Sequence, residues 1–186
     1  ENGKISTKLL DLLFVKPMSD RVEQSSPKPI KSKWPHDDTA SLISFYGEPG
    51  EDNVLMPLPY DFRLSYDLNT VVKRVMVHAK CRDAWEEIFT RTLDTYGLVT
   101  LKELRLHYFG GGMVHRTIRG GTRLSTHNWC AMDFDPANNG LKTSWKDAAF
   151  SRPEYKEFWQ IVESVGGVSL GKQFDYDAMH IQFAWR

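Results

Sequence analysis

Two short stretches of the chain hold residue types that could do chemistry together. In Ser125-Thr126-His127-Asn128-Trp129-Cys130-Ala131-Met132-Asp133-Phe134-Asp135 a histidine on a loop precedes carboxylates on a predicted strand. Imidazole nitrogen and carboxylate oxygen are both good ligands for a first-row metal, at about 2.0–2.2 Å for zinc. Asp133 and Asp135 share a strand face, because side chains alternate with period two, and only one of them need bind metal. In Asp175-Tyr176-Asp177-Ala178-Met179-His180-Ile181-Gln182-Phe183 a carboxylate stands three residues before a histidine that enters an apolar strand. A charged group beside a buried strand is costly unless it is paired or metal-bound. Three protein ligands, His127, Asp133 and His180, leave a position for water, as in catalytic zinc sites, whereas structural sites are closed by four. Asp177 is then free to take a proton from that water. Taken singly, each stretch reads equally well as loop-capping acids and a packed core histidine. Together they point to a metal centre.

The pattern Ser-x-His, Ala-x-Asp, Asp-x-x-His resembles the zinc peptidases that include D-alanyl-D-alanine carboxypeptidases, L-alanyl-D-glutamate endopeptidases and several phage endolysins. The resemblance runs from about Trp34 to Arg186 and is strongest over Phe109–Asp135 and Phe174–Phe183. It implies that His127, Asp133 and His180 hold one zinc ion, that Asp177 is the catalytic base, and that Ser125 contacts substrate. It also implies an arginine upstream of the first metal histidine that steadies substrate and the oxyanion. The run Gly110-Gly111-Gly112-Met113-Val114-His115-Arg116-Thr117-Ile118-Arg119-Gly120-Gly121 offers Arg116, the favoured choice, and Arg119. The implied substrate is the stem peptide of peptidoglycan, and the implied site of action the bacterial cell wall, as a phage lysis enzyme or an exported protein. Endopeptidase action between L-alanine and D-glutamate is favoured. Carboxypeptidase action on a terminal D-alanine is the alternative. So is a zinc-stabilised binding module without catalysis, as in the Hedgehog signalling domain of similar fold.

One departure bears on the metal. The family reads His-x-x-Gly-x-Ala-x-Asp, and this chain places Asp133 six residues after His127, one fewer, with Cys130 near the missing glycine. A residue lost from a loop is absorbed. Lost from a strand, it turns the following side chains to the opposite face. In that case Asp133 would miss the metal, Asp135 would not restore the register, and the Cys130 thiolate would be the substitute ligand.

The elements that must position these residues are less sharply written. Ile5–Val15 carries a leucine-rich helical pattern. The polar, proline-containing stretch from Ser19 to Lys33 reads as a linker, so residues 1–33 form an arm or linker and residues 34–186 the peptidase domain. Met56-Pro57-Leu58-Pro59-Tyr60 is too proline-dense for a central strand. A long helix is predicted from Asn69, as its cap, to about Tyr96, on the spacing of Val72, Val75, Met76, Ala79, Ile88, Phe89 and Leu93, with Gly97 as its stop. Strands are predicted at Leu104–Phe109, Ala131–Phe134 and Met179–Trp185, and a second helix at Pro153–Val165. Helices and antiparallel-looking strands in irregular order give an α+β class, a small antiparallel sheet flanked by helices and similar to the Hedgehog and D-Ala-D-Ala peptidase fold.

Composition narrows the partners. The 186 residues hold 24 Lys+Arg against 24 Asp+Glu, a formal charge of zero, with 41% hydrophobic and 12% aromatic residues. That suits one domain with a core and lacks the basic footprint of a nucleic-acid binder. Two cysteines, Cys81 and Cys130, are too few for a disulfide framework. No apolar run approaches the roughly 20 residues of a membrane span. A monomer acting on a peptide substrate is expected. The first residue is Glu1, so the N-terminus says little about export.

Overall fold

The computed structural model describes residues 33–186, and the helix read at Ile5–Val15 lies outside the described residues, as does the linker up to Ser32. The chain divides into two units, Glu1–Lys31 and Ser32–Arg186, and every element below belongs to the second.

Helix α1, Thr39–Tyr46, starts where the Asp38 carboxylate accepts the Ser41 amide. Strand β1, Asn53–Leu64, then buries Met56, Tyr60 and Phe62 and exposes Leu55, Pro57, Pro59 and Asp61, the period-two signature of a sheet with one covered face. Its antiparallel partner β2, Asp67–His78, overturns the long helix expected from Asn69. The valines at 71, 72, 75 and 77 were spaced ambiguously, and what decides the matter is pairing. Val54 meets Val77 and Met56 meets Val75 across the hairpin, and β-branched side chains pack well on such a pleated surface. The helix α2, Ala79–Glu103, begins only after the hairpin ends, capped by His78 Nδ1, which accepts from the Lys80 amide. Gly97, the expected stop, is instead a break within it, at φ 67, with helical backbone resuming beyond.

The prolines of β1 also overturn an expectation, since they lie in a strand that is not at the sheet's edge. The sheet order is β2-β1-β3-β4-β6-β5. Yet β3, Tyr108–Gly111, pairs with β1 only at Arg63 and Leu64, and pairing to β2 is broken between Pro57 and Phe62. The missing proline N–H groups therefore face no continuous ladder. Strand β3 starts later than the predicted Leu104, because Leu104 ends α2 and Arg105 turns the chain at φ 58.

The remaining strands are short: β4 Ala131–Phe134, β5 Val168–Ser169 and β6 His180–Gln182. All their pairings are antiparallel, so the sheet is mixed by virtue of the single parallel β1–β3 contact. Between β4 and β5, a turn of 3-10 helix at Pro153–Tyr155 leads into α3, Lys156–Ser164, in place of one helix from Pro153. The short helix α4, Leu170–Phe174, links β5 to β6.

The core sits between α2 and the sheet. Cys81, Ala84, Trp85, Ile88, Phe89 and Thr92 form the buried stripe of α2 at helical spacing. Trp85 meets Phe183 edge to face at 4.7 Å, and Phe62 meets Phe89 at 5.0 Å. Phe134 of β4 joins the same cluster, at 6.0 Å from both Phe62 and Phe89. Full burial of each such ring is worth roughly 1.5–3 kcal/mol. The cluster thereby clamps β4, which carries Asp133, and Phe183, which directly follows β6 and its His180.

Two polar anchors sit where β3 and β4 end. Asp135 is fully buried at φ 42 and takes two hydrogen bonds from Arg105, from Nε at 2.9 Å and Nη2 at 2.6 Å, plus one from Asn138. Asp135→Ala should lower stability by about 2–3 kcal/mol, since hydrogen bonds to charged groups are lost and Arg105 keeps part of its hydration; urea denaturation reads this. His107, also buried, has its pKa pushed down to about 4 by burial, with Lys102, Arg63 and Arg105 adding to the shift. The unfolded ring binds its proton near pH 6.5, so the unfolded state holds more protons between those values. Stability should therefore fall as pH drops from about 6.5 towards 4, by on the order of 1–2 kcal/mol, and His107→Gln should flatten that part of the profile.

Candidate metal centre

The site forms where β4 and β6 run side by side. Asp133 and His180 are direct cross-strand partners, and Asp133 Oδ1 lies 2.9 Å from His180 Nδ1. His127 arrives from a separate element, a turn of 3-10 helix at Thr126–Asn128, which ends immediately before β4. Its Nε2 stands 3.2 Å from Asp133 Oδ2. One donor atom from each of these buried residues lies within 4.8 Å of the others. The two sequence segments thus meet around one point, as expected for His127, Asp133 and His180.

The short spacing between His127 and Asp133 is absorbed ahead of the strand. The amides of Trp129 and Cys130 both bond back to the Thr126 carbonyl, so the chain closes a tight turn and enters β4 in register. Ser125 caps this turn, its Oγ accepting from the His127 amide. Asn128 is the element that sequence reasoning missed here. Buried next to the ligand, it donates to the carbonyls of Ser125 and Arg116 and accepts the Arg116 amide. It therefore fastens the glycine-rich segment to the turn that carries His127. A buried asparagine beside a ligand histidine is the only signal the sequence offered.

Cys130 does not stand in for a metal ligand. It is fully buried on the far side of the turn, beside Tyr46, and burial holds its thiol neutral well above the usual thiol range. Asp135 is likewise spent on Arg105 and Asn138. Trp129 is core, its indole donating to the Gly47 carbonyl, and Trp185 packs against His36, while Tyr176 lines the cleft.

Each imidazole is oriented through its second nitrogen. His127 Nδ1 lies 2.9 Å from the Gly112 carbonyl, which can only accept, so this nitrogen carries the proton and Nε2 presents a lone pair. His180 Nε2 lies 3.0 Å from Gln182 Oε1 and 3.1 Å from Thr126 Oγ1, leaving Nδ1 towards Asp133. Burial alone would raise the Asp133 carboxyl, yet hydrogen bonding and charge from the facing imidazoles hold it well below the usual carboxylate range; His180 Nδ1, 2.9 Å away, donates to it and would give up that proton to a bound cation.

Asp177 sits beside this group without joining it. Its Oδ2 is 3.9 Å from His180 Nδ1, and burial raises its carboxyl above the usual range, a shift to which neighbouring Asp133 adds. The loop that carries it turns at φ 54, hydrogen-bonds to the Leu141 carbonyl, and rests on α4. There Gly171 packs so closely that a Cβ would fall 2.5 Å from Ala178 Cα.

Two buried polar atoms at this place have no hydrogen-bond partner, His127 Nε2 and Asp177 Oδ1. An orphaned buried donor or acceptor costs about 1–3 kcal/mol. A divalent cation held by His127 Nε2, an Asp133 oxygen and His180 Nδ1 would give the first of these atoms a partner, with Asp177 beside it. The N₂O donor set fits zinc or another borderline first-row ion.

A cleft of about 200 Å³ lies over these residues, lined among others by Arg116, Arg119, Ser125, Tyr176 and Asp177. It shares Arg116, Arg119, His127 and Asp133 with an open groove of about 760 Å³ along the glycine-rich segment Gly110–Thr122. Neither Arg116 nor Arg119 has a carboxylate within ion-pair reach among the described residues, so both guanidinium groups are available to a ligand. Compared with known proteins, the chain matches no family model, no curated protein and no solved structure.

His127→Ala and His180→Ala should each abolish stoichiometric zinc uptake, while Cys130→Ala should leave it unchanged. Elemental analysis of the purified variants checks both outcomes.

Proposed function

We propose that the protein is a zinc-dependent peptidase of the D-alanyl-D-alanine carboxypeptidase and L-alanyl-D-glutamate endopeptidase kind, acting on the stem peptides of peptidoglycan at the bacterial cell wall. The observation that carries this reading is the buried Asp177 carboxyl, raised by burial and with Oδ1 unpartnered, beside three convergent metal donors. A purely structural metal site has no use for a spare buried acid next to an open coordination position. The resemblance of the motifs Ser125-x-His127, Ala131-x-Asp133 and Asp177-x-x-His180 to that family supplies the substrate class, with the endopeptidase activity favoured.

When bound, zinc would polarise the scissile carbonyl and lower the pKa of a coordinated water to about 7. Around it the chain's residues have separable tasks. Asp177 accepts the proton of the attacking water and returns it to the leaving amine, a role that suits a carboxyl whose pKa lies above the ordinary value. Arg116, with Arg119 beside it on the groove, holds the oxyanion of the tetrahedral carbon. The Gly112 carbonyl keeps His127 in the tautomer with Nε2 free. Ser125 lines the cleft where a substrate peptide would lie, while also capping the turn that bears His127. The open groove of about 760 Å³ along Gly110–Thr122 offers room for a peptide beside the metal donors. A monomer is sufficient for all of this, since every group comes from one chain.

Mass spectrometry of purified peptidoglycan digested by the zinc-loaded protein tests the reading. New L-alanine C-termini with free D-glutamate N-termini are expected; released D-alanine would instead make it a carboxypeptidase. Asp177→Ala should keep its zinc and lose about 10²–10⁴ in rate, and Arg116→Ala about 10²–10³. A zinc-replete protein that releases nothing from any wall preparation would leave a binding module in place of an enzyme.

A further inference from the structure

Behind His180 lies a chain of side chains that the proposed chemistry does not use. Gln182, two residues along β6 and on the same face, is buried. Its amide has both ends committed. Nε2 donates to the Ala184 carbonyl at 2.9 Å and to Asp37 Oδ2 at 3.4 Å, groups that can only accept. Oε1 therefore faces Thr126 Oγ1 and His180 Nε2, each at 3.0 Å. Asp37 is in turn fixed by Arg123, whose Nη1 lies 2.7 Å from Oδ1, and by Arg186, whose Nε lies 3.5 Å from Oδ2.

We infer that Gln182, pinned from behind by Asp37, is a positioning residue that dictates which ring nitrogen of His180 faces the metal. This rests on the metal-centre reading above and adds to it a cause for the ligand's orientation. An amide oxygen accepts and cannot donate, so only an N–H at His180 Nε2 satisfies it. That leaves the Nδ1 lone pair for the ion. Thr126 cannot perform this selection, because a hydroxyl donates or accepts as its neighbour demands. Gln182 alone would not perform it either, because a free amide can flip to present its NH₂. The selection comes from the amide together with the Ala184 carbonyl and the arginine-held Asp37, which both accept from its NH₂ and so leave it one orientation. An acceptor on the far nitrogen also raises the ligand's basicity.

The test compares Gln182→Met, which keeps length and loses the acceptor, with Gln182→Glu, which keeps an acceptor at the same place, and with Asp37→Asn. In Asp37→Asn, Arg123 retains the oxygen and turns the new NH₂ towards the Gln182 NH₂, so the amide is opposed from one side and held only by the Ala184 carbonyl. Zinc affinity is read by chelator competition. Long-range ¹H–¹⁵N spectra of the zinc-loaded protein read which nitrogen of His180 is metallated. Thermal melting of the metal-free proteins separates folding from ligation. The wild type is expected to show Nδ1 metallated and Nε2 protonated. Gln182→Met and Asp37→Asn should bind zinc about 10- to 100-fold more weakly, and Gln182→Glu within a few-fold of wild type. Should Gln182→Met misfold, Asp37→Asn carries the same comparison. Unchanged zinc affinity in Gln182→Met, an equal loss in Gln182→Glu, or Nε2 metallation in the wild type overturns the inference while leaving the metal centre intact. A wild type that binds no zinc overturns the metal centre itself, and this inference with it.

Discussion

An ionised carboxylate buried between two imidazoles is the constraint around which the chain is arranged. Asp133 sits in a four-residue strand, with His180 directly opposite and His127 on the turn just before. Left alone, such a charge would be expelled to water or neutralised. It is retained because both flanking rings are themselves held from behind, by the Gly112 carbonyl and by Gln182. The short strands would be marginal by themselves. The aromatic cluster of Trp85, Phe89, Phe134 and Phe183 fixes their placement, so the apolar core and the polar site are two faces of the same pair of strands.

Much of the site was legible from the sequence and much of the scaffold was not, for one physical reason. The chemistry of a ligand set is carried by residue type, which sequence states outright. His127, Asp133, Asp177 and His180 were identifiable because a histidine and an acid at close spacing beside an apolar strand have few inexpensive explanations. Their convergence depends on pairing between β4 and β6, and those strands were recognisable as short apolar runs. By contrast, β2 was read as helix because Val72, Val75, Met76 and Ala79 fall at helical spacing, while the alternation that marks the strand, Val75 and Val77 buried around exposed Met76, is too short to outweigh it. Only the hairpin partner, with Val54 opposite Val77, breaks the tie, and that contact is not local. Prolines 57 and 59 misled in a related way, since the rule against proline in a ladder applies to continuous pairing; Pro57, opposite Arg74, is the last paired residue before the break in the ladder and Pro59 lies within it.

The six-residue spacing from His127 to Asp133 works because its length is set in a turn. A strand cannot lose or gain one residue without inverting its faces. A turn can, because 3-10 hydrogen bonding simply tightens it. Here the turn at Thr126–Asn128 delivers Asp133 opposite His180, and the thiol at position 130 lies buried beside Tyr46. The outer partners, Asn128, Gln182 and Asp37, were invisible in sequence for the opposite reason. Amides and acids of that kind are everywhere, and what distinguishes these is where folding puts them.

The close seat of Gly171 against Ala178 has a consequence for how this region can vary. Helix α4 lies directly beneath the loop bearing Asp177, with no room for even one methyl group between the backbones. Any larger residue there would act as a wedge, lifting the acid away from the rings without touching the cleft. Sequence drift at a position that touches none of the metal donors would thus show itself in the spacing of Asp177 from His180, and the freedom of this helix to evolve is bounded by that seat.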